Sequence, residues 1–357
     1  MKHSSDSKPV STLLNAPPYA DLGPDEGLRP IAPAGGGPLT PSEWEVLREQ
    51  LRSQWDRVLG HADLAPFDRT PQVLRRFSLP ECDATEVQLP TTATSSQKIL
   101  VMAPKGKAAG PLPGAVIPFY NPDLMAGYDL ETGEPKDGPA VHFGRHLVQM
   151  GFLVVCGQAF PFNTVEDPGT GASFAQWHAA VDKLHGQYPQ WTGMARLVHD
   201  TRVALDFLLD QPQIDPERVL VMGHSLGGKM AFYTGCLDAR IKAIIASDFG
   251  IAFSSTNWDA PWYLGPQIHE PDFPVAHHQL LALAAPTPFL ILAGDCDGPR
   301  SWQYLNAARS AYQLDGRDDA LAILDHATGH RPPGDAVRTA YEWLGEQFDL
   351  TLGDCRI

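Results

Sequence analysis

Short apolar runs alternate with helically spaced stretches over most of this chain. The runs predict strands at 97–102, 114–119, 152–156, 219–222, 241–246, 289–292 and 321–324. The stretches between them predict helices near 139–150, 193–210, 226–237, 301–314 and 334–347. Strands that alternate with helices indicate βαβ units and a mostly parallel central sheet with helices on both faces. We therefore expect an α/β fold whose chemistry lies at the carboxyl ends of the strands.

The N-terminal part has a different pattern. Residues 1–40 are rich in Pro, Gly and Ser without a sustained period, which predicts an extended or partly disordered arm. Apolar residues then recur three and four apart and predict an amphipathic helix over about 42–59. We expect a helical extension over 41–71 and an α/β domain over 72–350. Within that domain, 248–285 is too long for a plain loop and is expected to form a lid.

Composition narrows the choice of partners. The 357 residues include 27 Lys and Arg against 42 Asp and Glu, a formal net charge of −15. A phosphate backbone or an anionic membrane surface would be repelled, so we expect neither nucleic acid nor membrane as a partner. The five cysteines form no C-x-x-C pair, which predicts neither a zinc site nor a disulfide framework. We expect no metal and no cofactor, and the composition does not determine the oligomeric state.

Targeting signals are not evident. The first residues lack the apolar core of a signal peptide, and the longest apolar runs are no longer than strands. These features predict a cytoplasmic protein without a transmembrane helix.

A candidate nucleophile follows one of the buried strands. The sequence Gly-His-Ser-Leu-Gly at 223–227 comes directly after the strand at 219–222 and opens a helix. Strand, sharp turn and helix are the order that a nucleophile elbow requires, with glycines where a Cβ would collide. We therefore expect Ser225 to be the nucleophile. The helix that follows would bring the amide of Leu226 beside a developing oxyanion.

A serine nucleophile needs a base, and in this fold the triad runs Ser, then Asp or Glu, then His along the chain. Two histidines, His326 and His330, follow the strand at 321–324 and precede the final helix. His330 comes after Gly329 and lies nearer the helix start, so we take it as the base. His326 is expected to have a supporting role.

Three aspartates compete for the role of the acid. Asp297 and Asp295 lie in the turn after the strand at 289–292, where a carboxylate can accept the imidazole N–H. Asp297 is the first choice because the acid usually lies three residues beyond the glycine of such a turn. Asp248, directly after the strand at 241–246, is the remaining alternative, since some relatives of the fold take the acid from there.

The second oxyanion donor is expected from the loop after the strand at 114–119, at the backbone of Tyr120 or Phe119. Trp258, Trp262 and Tyr263 provide aromatic surface that can stack on a substrate ring or form the core of the lid itself. His224 is included with them as a substrate-binding candidate.

Several of these segments resemble one known group of enzymes. The segments 223–228, 247–251, 257–265, 294–297 and 329–330, with the final helix, are similar to those of α/β hydrolases over about 95–350. The branch that they resemble holds acetyl-xylan-esterase-like and dienelactone-hydrolase-like proteins. The resemblance implies the α/β-hydrolase fold and a serine hydrolase that cleaves a carboxylic ester through an acyl-enzyme. It also implies short, acetyl-type esters of a sugar or small metabolite as substrates.

One departure from the family pattern concerns the oxyanion loop, where Phe119 and Tyr120 replace a His-Gly pair. The same triad would also serve an amidase, a peptidase, a lactonase or an acyltransferase. A hydrolase-like protein that binds a small molecule without catalysis is the alternative from another class.

Overall fold

The computed structural model describes residues 22–33, 35–106 and 110–357. Residues 1–21 of the predicted N-terminal arm lie outside the described residues. Within the arm, 22–33 form no helix or strand. They pack on the body of the protein, where the amide of Ile31 donates to the carbonyl of Ala307 over 2.9 Å.

The strands of the described residues form one nine-stranded sheet in the order β1-β2-β3-β5-β4-β6-β7-β8-β9. They are β1 Gln72–Ser78, β2 Cys82–Thr92, β3 Ser95–Pro104, β4 Leu112–Phe119, β5 Leu153–Gln158, β6 Ile214–His224, β7 Ala243–Ser247, β8 Phe289–Ala293 and β9 Leu321–Asp325. The first three strands run antiparallel to their neighbours, and the pairs from β5 to β9 are parallel. The α/β-hydrolase fold expected from the sequence is therefore confirmed.

The α-helices found in the described ranges number nine. They are α1 Pro41–Leu59, α2 Pro122–Ala126, α3 Phe143–Gln149, α4 Ala175–Gln187, α5 Gly193–Leu209, α6 Leu226–Leu237, α7 His277–Leu283, α8 Trp302–Gln313 and α9 Gly334–Phe348. Each predicted helix is present, with ends that differ by a few residues. The pattern did not single out α2, α4 and α7, of which α2 and α7 are too short for a clear helical period.

Side chains alternate across the central strands and build a core on each face of the sheet. Val221 and Ile244 belong to the larger core, whereas their neighbours Leu220 and Ile245 belong to the smaller one. Because both faces are covered by helices, these strands are apolar throughout rather than alternating with polar residues. Such a sheet is a rigid support for the loops at its carboxyl edge.

The N-terminal helix α1 docks on this body through its apolar stripe. It begins with a capping box between Thr40 and Glu43, which satisfies free amides of the first turn. Trp55 is fully buried, and its ring stacks on that of His277 in α7 with centroids 5.9 Å apart.

The insertion between β7 and β8, predicted as a lid over 248–285, is built into the larger core. Trp258 and Leu280 are fully buried in it. No helix of the described residues has the length and apolar character needed to cross a membrane.

Candidate active site

Ser225 lies in a strained turn between β6 and α6. Its φ of 54° and ψ of −115° are unusual for a residue with a side chain. Two glycines make this turn possible. A Cβ on Gly223 would lie 2.2 Å from the carbonyl carbon of Gly227, and one on Gly227 would lie 2.2 Å from the carbonyl oxygen of Pro118. The turn has the backbone of a nucleophile elbow and exposes Ser225 at the carboxyl edge of the sheet.

His330 is paired with a carboxylate from a neighbouring strand end. Its Nδ1 lies 2.6 Å from Oδ2 of Asp248. Asp248 follows β7 directly and is fully buried, whereas the His330 side chain is 41% exposed. The pair has the geometry of a base held by an acid.

Backbone amides hold the Asp248 carboxylate in place. The loop after β8 donates four of them, from Gly294, Asp295, Cys296 and Asp297, over 2.9–3.1 Å. Burial alone would raise the pKa of Asp248, but the hydrogen bonds from His330 and from these amides outweigh it and lower the pKa below its ordinary value. Asp248 is therefore ionised at neutral pH.

The prediction that Asp297 is the partner of His330 is wrong in this structure. The Asp297 carboxylate instead accepts hydrogen bonds from the amides of Gly250 and Ile251, over 2.7 and 2.8 Å, and from the Ser301 hydroxyl. Burial raises the pKa of Asp297 to about 6, although these hydrogen bonds act against the rise. Its side chain ties the loop after β7 to the loop after β8. The second candidate in that turn, Asp295, is exposed.

Two other histidines near the site, His326 and His224, form hydrogen bonds with neighbouring side chains and do not line the pocket beside Ser225. His326 Nδ1 bonds to the Thr328 hydroxyl within its own loop. His224, a predicted substrate-binding residue, is buried and does not line the pocket beside Ser225. Its Nδ1 forms a hydrogen bond with the Ser247 hydroxyl. The centroids of the His224 and His330 rings are 4.6 Å apart. Burial lowers the pKa of His224 to about 3, so the ring is a neutral support behind His330.

Ser225 and His330 open into one pocket of about 220 Å³. It is lined by Tyr120, Phe174, Trp177, Ser225, Lys229, Asp248, Phe249, Thr256, Asn257, Trp262, Tyr263, Cys296 and His330. Larger clefts, of about 530 Å³ beside α9 and about 560 Å³ beside Gln176, contain no member of the Ser225, His330 and Asp248 group. The smaller pocket is the candidate active site because these reactive groups converge there.

The aromatic residues predicted to contact substrate divide into two groups. Trp262 and Tyr263 line the pocket. Trp258 does not, because it is fully buried behind the wall and its indole N–H donates to the carbonyl of Gly250 over 2.8 Å. Phe174 extends the wall outward. It is 51% exposed and stacks on Trp262 with centroids 5.0 Å apart.

Lys229, which was not predicted as a site residue, also lines the pocket. Lys229 lies one turn into α6, and its ammonium is 4.4 Å and 4.2 Å from the ring centroids of Trp258 and Tyr263. It donates to the Thr256 hydroxyl and the Asn257 carbonyl, each over 3.2 Å. Burial lowers the pKa of Lys229 to about 7. Lys229 is the one charged residue in an apolar helix, and that signal could have drawn attention to it.

The two predicted oxyanion donors come from different elements beside Ser225. Leu226 begins α6, where the first amides have no partner within the helix. Tyr120 follows β4 and lines the pocket, with its ring packed against Phe119 and Phe162.

Comparison with known proteins places the chain in a family. A model of the prolyl oligopeptidase family matches residues 164–351, which is more than half of the chain. The chain belongs to the prolyl oligopeptidase family. The matched segment contains Ser225, Asp248 and His330, and it begins after the Tyr120 loop.

Curated relatives of this family member differ in how much of the chain they share. A Bacillus subtilis (strain 168) protein, YtaP, provisionally named a hydrolase, is 26% identical over 84% of this chain and all of its own length. The carbohydrate esterase MZ0003, from an unknown prokaryotic organism, is 29% identical over 39% of this chain and 35% of its own length.

Solved structures of similar fold include esterases. A glucuronoyl esterase from Solibacter usitatus matches with a TM-score of 0.69 and 15% identity, over 92% of this chain and all of that one. A Bacteroides fragilis protein, provisionally titled an acetyl xylan esterase, matches with a TM-score of 0.64 and 17% identity, over 83% of this chain and 79% of that one. The family match and the fold confirm that this chain is a serine hydrolase of the α/β-hydrolase superfamily.

Proposed function

We propose that this member of the prolyl oligopeptidase family hydrolyses carboxylic esters of a sugar through an acyl-enzyme on Ser225. The observation that carries the proposal is the convergence of Ser225 with the His330 and Asp248 pair in one pocket whose wall also holds Lys229. The acid is Asp248, in place of the Asp297 favoured by the sequence.

In the acylation step the Ser225 hydroxyl attacks the ester carbonyl while neutral His330 takes its proton. The carbonyl oxygen becomes an oxyanion, which the amides of Leu226 and Tyr120 stabilise. The imidazolium then donates its proton to the leaving alkoxide, the bond between carbonyl carbon and oxygen breaks, and the alcohol departs. Ser225 is left as an ester of the acyl group.

Deacylation repeats the sequence with water. His330 takes a proton from water, the hydroxide adds to the acyl carbon, and the proton returns to Ser225 as the acid departs. The Asp248 carboxylate stays ionised throughout, because its lowered pKa keeps it negative, and it stabilises the imidazolium in both steps.

The pocket wall supports a carbohydrate substrate. Lys229, Thr256 and Asn257 present donors and acceptors that suit sugar hydroxyls, and the stacked rings of Phe174 and Trp262 offer an aromatic surface for a sugar face. A carbohydrate substrate also agrees with the names of two similar proteins, a carbohydrate esterase and a glucuronoyl esterase. The sugar can enter as the alcohol of an acetate or as the acid of a uronate ester.

A panel of four substrates tests this function. Initial rates are measured on p-nitrophenyl acetate, an acetylated methyl xyloside, benzyl glucuronate and a proline-containing peptide anilide. We expect turnover of at least one sugar ester with kcat/KM above that for p-nitrophenyl acetate. Turnover of the acetylated xyloside would show that the sugar is the alcohol part of the ester. Turnover of benzyl glucuronate would show that the sugar is the acyl part.

Two serine variants test whether the measured turnover depends on Ser225. Ser225→Ala should lose activity by several orders of magnitude, on the order of 10³-fold or more. Ser53→Ala, which changes a serine on the exposed face of α1, should keep the wild-type rate. Cleavage of the anilide without cleavage of any ester would replace the esterase proposal by a peptidase, and no turnover of any substrate would contradict both.

A further inference from the structure

Three side chains of metal-ligating type meet beside Ser225. Asp248, Cys296 and His330 each offer one ligand atom, and these atoms all lie within 4.8 Å of one another. They come from the loops after β7, β8 and β9, three adjacent parallel strands whose carboxyl ends share one edge of the sheet. Because each ligand lies on a different loop, no spacing motif in the sequence could have revealed the group.

The donor set suits a thiophilic divalent ion. A thiolate, an imidazole and a carboxylate are the ligands that Zn²⁺ accepts in tetrahedral sites, with the fourth position left to water. The Asp248 carboxylate is already oriented by four backbone amides, which makes it a rigid ligand. Its charge and that of a Cys296 thiolate together balance a divalent cation.

Two of the three residues, Cys296 and His330, are reached from solvent, whereas Asp248 is buried behind them. Cys296 lines the active-site pocket and also a neighbouring cleft of about 450 Å³ beside Asp325. The His330 side chain is 41% exposed. An ion can therefore arrive without passing through the aromatic part of the active-site pocket.

We propose that Asp248, Cys296 and His330 form a binding site for Zn²⁺ and that occupation of this site inhibits the enzyme. Binding releases the thiol proton of Cys296 to solvent and changes no oxidation state. Ligands in a tetrahedral zinc site are separated by roughly 3.3 Å. The 2.6 Å contact between Asp248 and His330 must therefore open when the ion enters.

Either ring nitrogen of His330 gives the same inhibition. If Nε2 binds the ion, its lone pair can no longer accept the proton of Ser225. If Nδ1 binds it, the ring proton moves to Nε2, which again leaves no acceptor facing Ser225. The inhibition rests on the proposed function, whereas the binding of the ion does not.

The binding is tested first without any catalysis. Co²⁺ is added to the Ser225→Ala protein, and the near-ultraviolet charge-transfer absorption of a thiolate bound to cobalt is recorded. We expect this band in Ser225→Ala and in Ser225→Ala with Cys355→Ser, a change at a cysteine outside the group. It should be absent from Ser225→Ala with Cys296→Ser, because a hydroxyl does not replace a thiolate. Absence of the band from Ser225→Ala, or its survival after Cys296→Ser, would overturn the proposal.

The inhibition is tested on the wild-type enzyme with its best ester, each variant being compared with its own rate in EDTA. We expect Zn²⁺ to abolish activity, EDTA to restore it, and Cys296→Ser to raise the half-inhibiting concentration by about 10- to 100-fold. Equal inhibition of wild type and Cys296→Ser contradicts the site. A protein that hydrolyses no ester but shows the cobalt band refutes the proposed function and leaves the metal site supported.

Discussion

His330 Nδ1 and Asp248 Oδ2 lie 2.6 Å apart although 82 residues separate them along the chain. The contact joins the loops after β7 and β9, and the loop after β8 lies between them and donates its amides to the same carboxylate. The β8 loop, which the sequence suggested as the source of the acid, thus holds in place an acid that comes from β7.

This pairing predicts a large difference between two aspartate variants. Asp248→Asn should lower kcat on the order of 10⁴-fold, because an amide cannot stabilise the imidazolium and favours the wrong tautomer. The measurement is the steady-state rate on the best ester of the panel, with circular dichroism to verify folding.

The matched change at Asp297→Asn should reduce stability more than catalysis. An amide in that position turns a donor toward the amides of Gly250 and Ile251, which need acceptors, and the loss is about 1–3 kcal/mol of unfolding free energy. We expect a lower Tm with most of the activity of the folded protein retained. The reverse pattern, an active Asp248→Asn and an inactive, stable Asp297→Asn, would restore Asp297 as the acid.

The pH dependence of the reaction should reflect the environment of His330. Its hydrogen bonds with Asp248 and Cys296 raise the pKa of His330 to about 9, although burial acts in the opposite direction. Because only the neutral ring accepts the Ser225 proton, kcat/KM should increase as pH rises through that pKa. In Asp248→Asn the midpoint of the residual activity should move to lower pH, since the carboxylate no longer favours the charged ring. A profile already flat above pH 7 in the wild type would contradict this assignment.

Lys229 should make stability depend on pH. Burial lowers the pKa of Lys229 from 10.5 to about 7, so the folded state binds this proton less tightly than the unfolded state. The free energy of unfolding is therefore reduced in full below about pH 7, and it recovers as pH rises toward 10.5. Lys229→Met removes the buried charge and with it this loss of stability. The Tm of the variant minus that of wild type should therefore be largest at acid pH and decrease as pH increases. A Tm difference that does not vary with pH would show that Lys229 carries no such penalty.

The elbow should not tolerate a methyl group at Gly227. The added Cβ would lie 2.2 Å from the carbonyl oxygen of Pro118, a backbone atom that cannot move aside easily. We expect Gly227→Ala to cost at least about 1–3 kcal/mol of stability and most of the activity. Gly186→Ala in α4 is the control, because its Cβ meets nothing within 4 Å. It should leave Tm unchanged or raise it slightly. Equal Tm and activity in both variants would mean that the elbow relaxes.

Much of the fold could be predicted because its signals are local. Apolar runs such as 219–222 and helical spacing such as 226–237 are properties of neighbouring residues, and the structure has β6 and α6 there. The same holds for Ser225, whose turn needs glycines at fixed offsets. Shorter or more polar elements, such as β1 with its exposed positions, carry a weaker signal and were not singled out.

Tertiary structure decided what depends on residues far apart in the chain. The sequence by itself determined the α/β fold, the elbow at Ser225 and the end of β9 as the origin of His330. It favoured Asp297 over Asp248, and it could not establish which of the two pairs with His330, because both follow a strand at the same edge of the sheet. Only the folded backbone, by turning the amides of the β8 loop toward Asp248 and those of Gly250 and Ile251 toward Asp297, determines which carboxylate reaches His330.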